Sequence, residues 1–395
     1  MVRLMLPKSE CCGCEVCIAT CRLGAISLQQ DDGGFLYPVV DSSLCINCLE
    51  CERKCPVLNP SKLDCEERKF IAGYCKEGLK EVSSGGAASA LAKSIIRKSG
   101  VVYGVAWTSD FKNAQYIRLS AVENIGLIRG TKYIQASKNN GEIYKDIRYD
   151  LLLGNTVLFL GLPCEVAGLK SFLSQDYPNL YTVQLICHGA TSSMFLKAFV
   201  AEIERKKESR IVNLTLRYKK KGVDPKYIRM EMENGLFYEE ILLGTEFGFA
   251  FLNCSRESCY SCHFKGARRV ADLTIGDYWG IFADDINYQN DGVSIIVIHT
   301  NKGEILEQEL RANKDFFVFD ADAEKARKGN PKMYISGKLP ESRKRLISNV
   351  KEYGFAKGVR LTYTKKDIAK ICYYKFLPVV LQKIILYLRD CLRLL

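Results

Sequence analysis

Cys45-Ile46-Asn47-Cys48-Leu49-Glu50-Cys51-Glu52-Arg53-Lys54-Cys55-Pro56 sets four thiols at gaps of two, two and three residues, with proline closing the run. The same spacing appears earlier, in Cys11-Cys12-Gly13-Cys14-Glu15-Val16-Cys17-Ile18-Ala19-Thr20-Cys21, with Arg22 in place of the proline. Three close thiolates at this spacing wrap three irons of a cubane, and the fourth reaches the neighbouring cluster. The reading assigns Cys11, Cys14, Cys17 and Cys55 to one [4Fe–4S] cluster, and Cys45, Cys48, Cys51 and Cys21 to a second. Zinc is the competing metal, because two C-x2-C pairs also make a four-thiolate site. Two complete interlocking runs favour cubanes. Cys12 is a spare thiol able to substitute for Cys11, and the charge of Arg22 would raise the potential of a nearby cluster.

Outside these runs the chain reads as globular, with 47% hydrophobic and 26% charged residues in 395. Its 18 cysteines are the outlier. Met1-Val2-Arg3-Leu4-Met5-Leu6 is too short an apolar run for a signal peptide, so a reducing cytoplasm is the expected compartment, and clustered cysteines there imply metal. No stretch approaches the roughly 20 apolar residues of a membrane span. The net charge of +12 suits a phosphorylated cofactor, an acidic protein or anionic lipid. No nucleic-acid motif accompanies it, and no nucleic-acid partner is expected.

Four segments are expected: a two-cluster domain over 1–62, a body in two parts over 66–150 and 151–320, and a basic helical tail over 321–395. Ala88, Leu91, Ala92, Ile95 and Ile96 mark one apolar helix face, opened by Ser83-Ser84-Gly85-Gly86 and closed by Gly100. A strand follows over Val101–Trp107. From about residue 142 helices and strands alternate, which predicts βα units on a largely parallel sheet. Residues 211–242 alternate as a hairpin around Asn234-Gly235. Val293–Thr300, Lys302–Ala312 and Phe316–Phe319 read as strand, helix and strand rebuilding a sheet edge. His299 lies on a buried strand and reads as structural.

A second cysteine group, Cys254-x4-Cys259-x2-Cys262, needs a fourth ligand. His263 would make a zinc site, whereas Cys187 or Cys164 would complete a third [4Fe–4S] cluster. Both of those cysteines stand just past the carboxyl ends of predicted strands, where open α/β sheets bind ligands.

Five motifs then occur in order: Ser83-Ser84-Gly85-Gly86, Arg129-Gly130-Thr131-Lys132-Tyr133, Gly161-Leu162-Pro163-Cys164-Glu165, Cys187-His188-Gly189, and Ala271-Asp272-Leu273-Thr274-Ile275-Gly276-Asp277-Tyr278-Trp279-Gly280. Over roughly residues 5 to 320 the chain resembles the coenzyme F-420 hydrogenase/dehydrogenase beta-subunit family, with an amino-terminal ferredoxin-type domain added. The resemblance implies an α+β / α/β fold: a dicluster ferredoxin domain, a mixed α/β body holding flavin and a cluster, and a helical tail. It implies an oxidoreductase with FAD or FMN, a third cluster on Cys187, Cys254, Cys259 and Cys262, and the deazaflavin F-420 as hydride carrier. Ser84, Gly85, Gly86, Lys132, Gly161, Pro163, Cys164 and Asp277 are its implied flavin-site residues; no catalytic residue is assigned. Leu162 and Ser84 depart from the family pattern, at the flavin pocket or the entrance for the second substrate. Ferredoxin or another redox protein is the expected partner. Relatives of this type also stand beside surface-polysaccharide genes, so an electron relay or an accessory role in polysaccharide assembly are the competing functions. The basic apolar stretch from Lys370 to Leu395 suits contact with a membrane surface or self-association.

Overall fold

The computed structural model describes residues 2–4, 6–60, 65–267, 269–376 and 381. At the amino end β1 (Val2–Leu4), β2 (Ile26–Gln30) and β3 (Leu36–Asp41) form an antiparallel sheet in the order β1–β3–β2. Helices α1 (Val16–Thr20) and α2 (Glu50–Arg53) each arise inside a cysteine run. The residues before them, Glu15 and Leu49, are both left-handed, with φ of 67° and 61°. The two runs therefore repeat in backbone as they do in sequence.

The body begins with β4 (Lys69–Cys75), a strand the sequence reading did not identify, and continues through α3 (Ala87–Arg97), β5 (Val101–Trp107) and β6 (Ala114–Leu119). Next come α4 (Glu142–Leu152), β7 (Val157–Gly161), α5 (Pro163–Leu173), β8 (Leu180–Leu185) and α6 (Ser193–Lys207). Strands β9 (Ile211–Tyr218), β10 (Tyr227–Met232) and β11 (Phe237–Ile241) make a separate antiparallel sheet that contains the expected hairpin. After α7 (Glu246–Asn253) the chain returns through β12 (Leu273–Asp277), β13 (Ser294–Ile298), α8 (Asn301–Ala312) and β14 (Phe316–Asp320).

Among the described residues the main sheet has eight strands, ordered β14–β4–β13–β12–β8–β7–β5–β6. It is mixed rather than largely parallel. Only β5, β7, β8 and β12 pair in parallel; the flanking strands pair antiparallel. For β6 the physical reason is connection length. A parallel return needs a crossover of a dozen or so residues, and the link from β5 to β6 is far shorter. Strand β13 is interior, between β12 and β4, rather than at an edge, which is why every residue of Ser294–Ile298 is buried.

The amino-terminal segment shares its core with the body. Val16, Phe35 and Tyr37 belong to one buried cluster with Tyr103, Ile134, Tyr144, Val166 and Phe195. The expected 1–62 unit thus shares that core through Cys11 and Cys14, while Cys17, Ile26 and Val40 form a small cluster of their own. Helices α9 (Ala323–Gly329), α10 (Ser342–Tyr353), α11 (Phe355–Thr362) and α12 (Lys365–Phe376) form the expected helical end. The basic apolar stretch beyond Phe376, apart from residue 381, lies outside the described residues. Among the described residues no helix is long and apolar enough to cross a membrane.

Candidate functional site

Strand direction gathers the candidate residues on one rim. The carboxyl ends of β5, β7, β8 and β12 point the same way, and β4, two antiparallel steps from β12, shares their direction. Ser84–Gly86 follow β4, Gly161–Cys164 close β7, Cys187 and His188 follow β8, and Asp277 ends β12. This is the rim at which open α/β sheets form their crevices.

The thiols fall into three sets. Cys11, Cys14, Cys17 and Cys55, with the spare Cys12, line one small cavity, walled also by Val16 and Pro38. Burial raises the thiol pKa of Cys11, Cys17 and Cys55, so a bound metal would have to displace their protons. Thiol hydrogen bonds to Cys14 and Cys164 pull Cys12 well below its ordinary value. In the second set Cys21, Cys45 and Cys51 pack with Cys17, Ile26 and Val40, while Cys48 is exposed. Leu44, Ile46 and Leu49 surround that set and are about half or more exposed, so it lies at the surface.

Cys187, Cys259 and Cys262 make the third set. Burial raises all three, and each of Cys187 and Cys259 is raised further by the charge of Cys262. The backbone agrees, because a Cβ on Gly189 would touch the Cβ of Cys259 at 3.4 Å. Cys164 stands beside the set, its thiol raised by the hydrogen bond to Cys12, by burial and also by the charge of Cys187. Cys254 does not join it. Its thiol is fully buried in the core and pushed to about 12 by burial, and the charges that act on it are Arg343 and Asp31. Cys254 ends α7 with its carbonyl accepting from Thr191 Oγ1 at 2.6 Å, which turns it inward. His263 is also elsewhere, with Nε2 2.7 Å from the Glu10 carboxylate on the surface. Among the described residues no group of three or more His, Cys, Asp or Glu is arranged to hold a single metal ion.

The expected flavin residues have local duties of their own. A Cβ on Gly85 would overlap the Gly73 carbonyl and the Ser294 amide, and Gly86, at φ 90°, lies against Cys75 Sγ. Ser84 Oγ donates to Val293 O at 3.0 Å. A Cβ on Gly161 would meet the Phe159 ring at 2.7 Å, and Pro163 opens α5. Burial tends to raise Asp277, but Arg217, with Nη2 2.7 Å away, outweighs it and holds the carboxyl below its usual range. Lys132 is buried, with Nζ donating to the Arg129 carbonyl at 2.6 Å, and burial pushes it down to about 7.

Sequence reading missed the cations around that rim. Lys219 is buried, donates to the carbonyls of Leu79 and Ser84, and falls to about 8 through burial. Lys226 Nζ lies 4.8 Å from the Trp279 ring centre. The signal available was Arg217-Tyr218-Lys219, two cations two residues apart at the end of β9. Also missed were the donors that hold the first cysteine loop. Tyr144 Oη donates to Cys14 O at 2.6 Å, Gln135 Nε2 to Cys12 O at 3.1 Å, and Ser258 Oγ to Cys11 O at 3.0 Å.

Comparison with known proteins finds a match over part of the chain. Residues 154–323 match the family model for the C terminus of the coenzyme F420 hydrogenase/dehydrogenase beta subunit, and this segment carries Cys164, Cys187, Cys259, Cys262 and Asp277. Among solved structures, a chain of the F420-reducing [NiFe] hydrogenase complex from Methanosarcina barkeri is similar at 17% identity and a TM-score of 0.48. The match covers 69% of this chain and 92% of that one. No curated protein sequence matches. Over residues 154–323 the chain is thus similar to the C terminus of the coenzyme F420 hydrogenase/dehydrogenase beta subunit.

Proposed function

We propose that the protein is an iron–sulfur flavoprotein oxidoreductase that moves electrons between a partner at its surface and a hydride carrier at the sheet rim. The observation that carries the reading is the continuity of the thiols. Exposed Cys48 belongs to the second set, which packs on Cys17 of the first. The Cys12 thiol of the first cavity hydrogen-bonds that of Cys164, and Cys164 adjoins Cys187 of the third set. A single line thus leads from solvent to the crevice. A scaffold has no use for it.

In this reading the first two sets hold the clusters assigned by spacing, and Cys187, Cys259 and Cys262 hold a third with Cys164 as the fourth ligand. Bound at the rim, a flavin takes two electrons as a hydride and releases them singly, as clusters require. The chain's own part there is electrostatic. Lys132 and Lys219 are buried cations outside any ion pair among the described residues, and they suit an anionic cofactor. The family suggests a carrier of the F420 type. A soluble redox protein such as ferredoxin fits the exposed second set.

Anaerobic purification with iron, sulfide and flavin analysis tests this. About twelve irons, four per cubane, with bound FAD or FMN are expected. Clusters without flavin would favour an electron-relay role, and absence of acid-labile sulfide would refute the cluster reading.

A further inference from the structure

The loop between Cys254 and Cys259 sends one side chain into the first cysteine run. Arg256 is 1% exposed. Its Nε donates to Cys11 O at 2.6 Å, Nη1 to Leu36 O and Gln135 Oε1 at 2.9 Å each, and Nη2 to Cys11 Sγ at 3.4 Å. The guanidinium carbon lies 4.0 Å from the Tyr37 ring centre. Among the described residues no carboxylate pairs with it, so a permanent cation sits in the interior against neutral groups. Gly13 makes the room: its φ is 70°, and a Cβ there would come within 2.8 Å of the guanidinium carbon.

Burying an unpaired charge is costly, by several kcal/mol in typical cases. The thiol in direct contact with it is Cys11 Sγ, with Cys12 close behind, and each balances it only as a thiolate. Metal ligation makes that thiolate permanent. Granting the cluster reading above, we propose that Arg256 is the fixed counter-ion of the first cluster and raises its reduction potential. A cubane on four thiolates is anionic and gains one more negative charge when it accepts an electron. A cation held at the ligand sulfur therefore stabilises the reduced form more than the oxidised one. The same side chain belongs to the loop that carries Cys259 and Cys262, so it ties the first thiol set to the third.

The test is a potentiometric titration of anaerobic holoprotein, with dithionite as reductant and electron paramagnetic resonance as readout. Iron and acid-labile sulfide are measured first, because their absence would remove the cluster reading rather than the counter-ion. Arg256→Gln is expected to move one cluster's midpoint to lower potential and leave the others in place. Arg256→Lys, which keeps the charge but not the fork, is expected to stay close to wild type. A Gln variant with full iron and unchanged midpoints overturns the proposal, as does a Lys variant shifted as far as Gln. If Gln loses iron from the first site, the Lys variant decides. Retained iron supports the counter-ion, and equal loss shows that the fork merely docks the loop.

Discussion

Lys138 Nζ lies 2.7 Å from Glu165 Oε1, with the two side chains 1% and 3% exposed. Glu165 also accepts from Tyr116 Oη at 2.6 Å and from the Leu162 amide at 2.9 Å. The Lys138 amide donates to Glu15 Oε1 at 3.2 Å, so one lysine serves two buried carboxylates beside the first and third thiol sets. Breaking a buried pair leaves an uncompensated charge and typically costs about 3–5 kcal/mol. Lys138→Met is expected to destabilise by that order, and by more than Glu165→Gln, because it leaves Glu165 unpaired and removes the charge that also acts on Glu15, whose bond to the backbone amide stays. Urea midpoints of the anaerobic holoproteins measure the difference.

Lys132 supplies a pH dependence. Burial lowers its folded pKa from 10.5 to about 7, so between those values the unfolded chain binds more protons than the folded one. Stability therefore rises with pH across the window from about 7 to 10.5, and the penalty is constant below it. Lys132→Met is expected to flatten that rise. Urea midpoints at several pH values for both proteins would show it, and parallel curves would place the proton elsewhere.

The third thiol set makes opposite predictions for the cysteines beside it and for the more deeply buried Cys254. Cys164→Ser or Cys259→Ser is expected to remove about four irons from the holoprotein, one cubane's worth. Cys254→Ala is expected to leave iron content unchanged and to cost only packing stability. Iron loss from the Cys254 variant alone would restore the set implied by the family motif.

A chain ending at residue 62 is not expected to hold both clusters. It loses Gln135, Tyr144, Arg256 and Ser258 from the carbonyls of Cys11–Cys14 and exposes Val16, Phe35 and Tyr37. Fewer than the roughly eight irons of two cubanes should bind. Full occupancy in that fragment would show that the shared core is dispensable.

Gly86 is a poor probe of phosphate binding, because any side chain there meets Cys75 and a left-handed backbone. Gly86→Ala is expected to destabilise by at least the roughly 1–2 kcal/mol of an L residue at positive φ, with or without flavin. Lys219→Met tests the flavin site more cleanly, through the stoichiometry of bound flavin.

The sequence alone determined the repeated turn of the two cysteine runs and most of the body's elements, because both are local. Ligand spacing within a run fixes which cysteines share a turn, and the apolar periodicity of Ala88–Ile96 marks a helix wherever that helix packs. The Cys11 and Cys45 runs accordingly adopt matching turns. Tertiary structure decided what depends on approach between distant segments. Cys254 and Cys259 are close in sequence, but the end of α7 turns the first into the core and leaves Cys164, far earlier in the chain, beside the third set. Strand direction in the main sheet, the shared core under Tyr37 and the burial of Arg256 against Cys11 are of the same kind. Each is a choice of partner, made by packing and charge compensation across the whole chain. No local pattern encodes it.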